Sequence, residues 1–293
     1  MRLFAVFLLI LVVFPREAFS EEKLRVSTFS TILTEIAEQI GGDKVQVTGH
    51  VKVGIDPHDF EPKPTDLIIV AKADVILLSA KHMEGYVEKL KESTGTKGEL
   101  VKVGDGFKSL KMEPNDDLER DVEDPHWWHS LANMAMAARG VRDAFIRARP
   151  NAAEAFRANA IDYLQRLDSL KKWAGSELAK LPRDQRKLVT SHDAFQYFAK
   201  ENGFKVYAIE GISSSDQPSS KKVAQIIATV KAQGVKSIFS ENIENPKVLV
   251  AITRETGAKL GGKLFADGLG ENDAATYAGM YRHNVTTIVK GLQ

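Results

Sequence analysis

The 293-residue chain contains no cysteine. That absence excludes disulfides and thiolate metal ligands. It also excludes the lipid anchor of a bacterial lipoprotein, which needs a cysteine just after the cleavage site. Beyond the extreme N-terminus no stretch reaches the roughly 18 consecutive apolar residues of a membrane span. An excess of either charge is missing too. Two of the 40 basic and one of the 39 acidic residues fall in the first twenty, so the remainder carries no formal net charge. Neither nucleic acid nor an anionic membrane surface is indicated as a partner. The His-Glu-x-x-His signature of a helical zinc protease does not occur.

What is present begins with residues 1–20, which read as a secretory signal peptide. Arg2 gives a positive start, 4–14 is an unbroken apolar run of eleven residues, and Ala18-Phe19-Ser20 is a small-x-small cleavage site. Such a run is too short to span a bilayer. The expectation is a soluble, exported, periplasmic protein that is not a lipoprotein.

From residue 23 onward short β-rich runs alternate with helical ones. Strands are expected at 24–29, 45–51 and 75–78, and helices at 32–40, 66–73 (capped by Thr65) and 130–146. The segment 113–124 has seven acidic residues and almost nothing apolar, and is expected as an exposed loop. Between Pro150 and Leu181 apolar residues keep helical spacing, predicting one helix of about 30 residues and 45 Å. Alternation resumes with strands at 187–190, 206–209, 237–241 and 263–267. Helices are expected at 194–201, 219–233, 246–256 and 274–290. Repeated strand–helix alternation predicts an α/β protein of βαβ units with mostly parallel sheets. The divisions are an N-terminal lobe at 21–148, a linking helix at 149–181 and a C-terminal lobe at 182–293.

Three histidines stand at loop-like or strand-end positions. His58 lies in Asp56-Pro57-His58-Asp59-Phe60-Glu61-Pro62, and His126 lies in a second Asp-Pro-His at 124–126, before Trp127 and Trp128. Proline restricts the backbone and partly preorganises such a loop. His192 follows the strand at 187–190, at the edge where α/β sheets bind ligands. A zinc-type ion wants convergent imidazoles and often a carboxylate. His129 is read as a neighbour of that site, and His50, His82 and His283 as structural or solvated. Glu210 and Glu241 end expected strands and are possible cleft residues, whereas Asp105 and Asp193 read as turn and cap residues.

At these motifs the chain resembles the zinc/manganese class of periplasmic solute-binding proteins of ABC transporters. The resemblance rests on residues 54–62, 124–128, 191–198 and 267–270, with a lesser match at 241–247, in order along the whole mature chain. It implies two α/β lobes joined by one long rigid helix, with the metal in the cleft between them. It also implies His58 and His126 as ligands from the first lobe, and His192 and Asp267 from the second. The implied partner is an ABC permease, and a monomer is expected. Relatives that prefer manganese often carry Glu where this chain has His192, and three imidazoles with one carboxylate suit Zn²⁺ better than Mn²⁺. Many zinc members have a His-rich loop before the second ligand. Here that stretch is acidic, which keeps a manganese or broader role open. Affinity is expected to fall below about pH 6.5, as histidines protonate. Two other classes fit less of the chain: an exported zinc hydrolase, with Glu61 or Glu210 as base, and a scaffold with incidental histidines.

Overall fold

The structure is a computed structural model that describes residues 22–112, 122–213, 218–242 and 247–293. The signal-peptide reading at 1–20 and most of the acidic segment lie outside the described residues.

Strands β1 (Leu24–Thr28), β2 (Val45–Gly49), β3 (Val75–Leu78) and β4 (Glu99–Lys102) form a parallel sheet in the order β2-β1-β3-β4. A second parallel sheet, ordered β6-β5-β7-β8, holds β5 (Lys187–Thr190), β6 (Lys205–Ala208), β7 (Ser237–Glu241) and β8 (Lys259–Leu264). The inner strands β3 and β7 are buried at every residue, because helices cover both faces of a parallel sheet.

Helix α1 (Thr31–Gly41) starts where the Ser30 hydroxyl accepts from the Leu33 amide, and it stops at Gly42, with φ of 54°. Its apolar stripe of Ile32, Leu33, Ile36, Ala37 and Ile40 is buried. Helices α2 (Pro64–Val70), α3 (Val87–Thr94) and α4 (Leu131–Ala148) complete the first lobe. Helix α5 (Ala153–Leu178) runs between the lobes in sequence and packs on α1 and α4. Its stripe of Phe156, Ala160, Tyr163, Leu167, Leu170, Ala174 and Leu178 joins a hydrophobic core shared by both lobes. The Tyr163 hydroxyl donates to Glu35 at 2.8 Å, tying α5 to α1, and burial pushes Glu35 up to about 7 despite that bond. Helices α6 (Gln196–Asn202), α7 (Ser220–Gln233), α8 (Lys247–Thr256) and α9 (Tyr277–Leu292) flank the second sheet, and α9 also packs on α5. Among the described residues no helix is long and apolar enough to cross a membrane.

Several boundaries differ from the sequence reading. Helix α2 begins at Pro64, whose fixed φ suits a first helical turn, and the Asp66 carboxylate accepts from the Lys63 amide at 2.8 Å. Thr65 is not the cap. The long helix spans 26 residues, or about 39 Å, since residues Pro150–Ala152 form a separate 3-10 turn. Strand β8 ends at Leu264 rather than 267. It runs through Gly261 and Gly262, where a side chain at 261 would meet the Phe239 ring at 2.7 Å. Helix α6 starts at Gln196, two residues later than expected, and α9 starts at Tyr277, capped by the Thr276 hydroxyl on the Gly279 amide. Strand β4 and helix α3 were not anticipated. Helix α3 buries only Leu90, so its apolar signal is faint.

Candidate metal centre

The repeated Asp-Pro-His is a repeated turn. In each copy the aspartate carboxylate accepts from the histidine amide two residues on, Asp56 from His58 and Asp124 from His126, both at 2.9 Å. This is the Asx-turn that a short carboxylate favours, and the intervening proline restricts the chain. Asp124 also lies 2.8 Å from His126 Nδ1. That carboxylate is fully buried, a correction to the exposed loop expected over 113–124. The flanks of the segment are tied together: Met112 donates to the Val122 carbonyl and Asp124 to the Leu110 carbonyl, each at 2.9 Å.

His192 follows β5. Its amide donates to Glu241 Oε1 at 3.3 Å, and its Nδ1 bonds Glu241 Oε2, at the end of the neighbouring strand β7. Both His126 and His192 therefore have a carboxylate on Nδ1, which leaves Nε2 to face the centre. Such partners fix the ring and raise its basicity as a ligand. Asp267 lies three residues beyond β8.

These placements bring together His58, His126, His192 and Asp267, whose donor atoms all lie within 4.8 Å of one another. His58 Nε2 is 3.1 Å from His126 Nε2. Asp267 Oδ1 lies 3.6, 3.5 and 3.3 Å from the Nε2 atoms of His58, His126 and His192. A tetrahedral ion with bonds of about 2.0–2.1 Å needs donors about 3.3 Å apart. All four side chains are at most 7% exposed. His192 Nε2 and Asp267 Oδ1 are buried without a hydrogen-bond partner. Buried polar atoms are rarely left so, and a cation among them would satisfy both.

The electrostatics couple the four groups. Burial opposes a charge on His126, but the Asp124 and Asp267 carboxylates outweigh it and raise the imidazole to about 9. In the same way His192, buried, is held well above the usual histidine range by Asp267 and Glu241. Asp267 is buried yet held well below the carboxylate range, chiefly by the charge of His192. Both histidine shifts share a cause in Asp267, whose Oδ1 lies 3.5 and 3.3 Å from Nε2 of His126 and His192. A raised His126 places the proton release that accompanies metal loading above the free-histidine range of about 6.5.

The remaining histidines face elsewhere. Burial, then the charge of His126, pushes His129 down to about 3; its Nε2 donates to the Ala266 carbonyl at 2.8 Å. His50 bonds Asp66 and Ser27 and stacks on Phe29. His82 is exposed on a left-handed turn over Ala80, Lys81 and His82, not at a helix start. His283 Nε2 donates to the Lys263 carbonyl at 2.9 Å. Glu241 belongs to the centre through His192, whereas Glu210 is buried outside the four-donor group. Asp193 caps no helix. It accepts from Gln196 at 2.7 Å, and burial with the nearby Asp124 charge raises it to about 6. Asp105 is exposed within a 3-10 turn over Val103–Gly106.

Known proteins resemble this chain over nearly its whole length. The manganese-binding lipoprotein MntA of Bacillus subtilis is 33% identical over 281 residues, covering 94% of this chain and 91% of the relative. The iron-binding protein YfeA of Yersinia pestis is 31% identical over 272 residues, covering 92% and 86%. Among solved structures, the periplasmic zinc binding protein TroA from Treponema pallidum superposes with a TM-score of 0.85 at 26% identity, covering 92% of this chain and 99% of its own. The proteins of this group bind solutes for ABC transporters and are not enzymes, so the hydrolase alternative falls away. Matched over residues 26–291, the chain belongs to the family of the periplasmic zinc-uptake complex component A, the metal-binding substrate proteins of ABC transporters.

Proposed function

We propose that His58, His126, His192 and Asp267 hold one divalent transition-metal ion as cargo, Zn²⁺ foremost, and that the loaded protein delivers it to an ABC permease. The observation that carries this reading is the convergence of three imidazoles and one carboxylate, two of their donor atoms being buried and unpartnered. A nitrogen-rich set of four suits Zn²⁺, whereas Mn²⁺ takes more oxygen ligands. Manganese is the second reading, favoured by the Bacillus relative, which is named a manganese-binding protein. In either case Nε2 of His126 and His192 must be free of its proton before coordinating, so loading releases protons. Asp124 and Glu241 keep the Nδ1 side occupied while Nε2 exchanges proton for metal.

The lobe divisions at 21–148, 149–181 and 182–293, and a monomeric state, belong to the same proposal. That Bacillus relative is named a lipoprotein, against the expectation of an unlipidated protein. What supports that expectation is the lack of any cysteine in the sequence. The test is a competition of demetallated protein against a chelator. One-to-one binding with zinc far tighter than manganese is the expected result, comparable affinities favour the manganese or broad reading, and no tight binding of either refutes metal capture.

A further inference from the structure

The segment carrying Asp267 belongs to the second lobe, yet the first lobe holds it on both sides. The Ala266 carbonyl, one residue before Asp267, accepts from Trp128 Nε1 and from His129 Nε2, both at 2.8 Å. A carbonyl offers two lone pairs, and both are used. The peptide joining Ala266 to Asp267 is planar, so fixing its oxygen also fixes the Asp267 amide and Cα. On the far side the Leu269 amide donates to Thr31 Oγ1 at 2.8 Å, at the start of α1. Between them Gly268 passes so close to Thr31 that a Cβ there would meet Oγ1 at 2.6 Å. The second lobe grips the same elements in return. The Tyr277 hydroxyl donates to the Trp128 carbonyl at 2.6 Å, and Phe195 lies against the His129 ring with centroids 4.4 Å apart. Trp128, His129 and Ala266 are each at most 1% exposed, so water does not substitute for these bonds.

We propose that Thr31, Trp128 and His129 form an inter-lobe clamp that positions the Asp267 carboxylate and thereby sets how fast the bound ion leaves. The proposal rests on the metal-capture reading. None of the three supplies a ligand. They hold in register the only acid among the four donors, and the ion cannot lose that acid until the segment 266–269 comes off the first lobe. Thr31 Oγ1, Trp128 Nε1 and His129 Nε2 all bond this one segment.

The test uses Thr31→Val, Thr31→Ser and His129→Phe in the full protein. Loss of zinc to excess chelator is followed by stopped flow, and amide exchange across 266–270 is measured in the metal-free protein. One buried hydrogen bond corresponds to about a tenfold change in rate. Thr31→Val and His129→Phe are each expected to speed zinc loss by about that factor and to raise exchange across 266–270. Thr31→Ser, which keeps the oxygen, should stay near wild type. In an Asp267→Ala background the Thr31→Val effect on zinc loss should shrink to about twofold or less, as coupled sites require. Unchanged zinc loss in both variants overturns the clamp, and so does an acceleration equally large without Asp267. If the wild type binds no ion, the exchange measurement decides alone. Unchanged protection at 266–270 then overturns the clamp, and raised exchange upholds its geometry apart from the metal reading.

Discussion

Glu241→Ala removes the acceptor on which His192 depends. The His192 ring is fully buried, with Nδ1 bonded to Glu241 and Nε2 directed at Asp267. Without the carboxylate the Nδ1 hydrogen has no partner in the interior, a loss of about 1–3 kcal/mol. The ring is then free to carry its proton on Nε2, the atom that would ligate. Removal of such a partner typically weakens metal binding by about 10–100-fold, equivalent to about 1.4–2.7 kcal/mol. Glu241→Gln keeps an acceptor oxygen of nearly the same shape and should fall at or below the lower end of that range. The assay is zinc competition against a chelator at about pH 7.5, where free histidine is mostly neutral. Thermal melting of each metal-free variant confirms the fold. If Glu241→Ala binds zinc within about twofold of wild type, well short of the range for an outer partner, the assignment of Glu241 to the His192 tautomer is wrong.

Three further outcomes are expected. Charged His126 stabilises the metal-free protein fully below the free-histidine value of about 6.5, and that contribution is lost as pH rises through its folded value of about 9. Zinc affinity should therefore climb across this window with proton release, seen calorimetrically as a heat that depends on buffer ionisation; a heat independent of buffer contradicts it. His192→Ala should weaken zinc binding by more than about 100-fold, beyond the effect of an outer residue, and far more than His129→Ala; equal losses overturn the ligand assignment. Phe145→Ala empties a fully buried site beside Phe156 and should cost about 3–5 kcal/mol; denaturant unfolding showing under about 1 kcal/mol, the level of a surface change, would refute that packing.

How much was legible in the sequence follows from how local each signal is. The two Asp-Pro-His turns are made by residues two apart, so composition and spacing expose them. The α1 stripe and the continuous apolar run of β3 are likewise local patterns with one physical cause, burial. Asp267 carries no such signal. Its place beside three histidines depends on distant segments and on bonds from the other lobe to Ala266 and Leu269, and only the family resemblance pointed to it. Glu241 was visible as a strand-end acid, but its meeting with His192 depends on the adjacency of β5 and β7. Asp124 was misread because it closes an acidic run, where composition argues for exposure, while its turn carries it inside. Strand β8 was placed too late; it runs through Gly261 and Gly262, residues that ordinarily weaken a strand. The Phe239 ring that demands glycine at 261 lies on another strand.

The central claim is that four named side chains hold one ion, and anomalous diffraction from crystals of the zinc-loaded protein tests it most directly. The account predicts a single zinc peak about 2.0–2.2 Å from Nε2 of His58, His126 and His192 and from a carboxylate oxygen of Asp267. A peak coordinated by other residues, or none at this centre under saturating zinc, would contradict it.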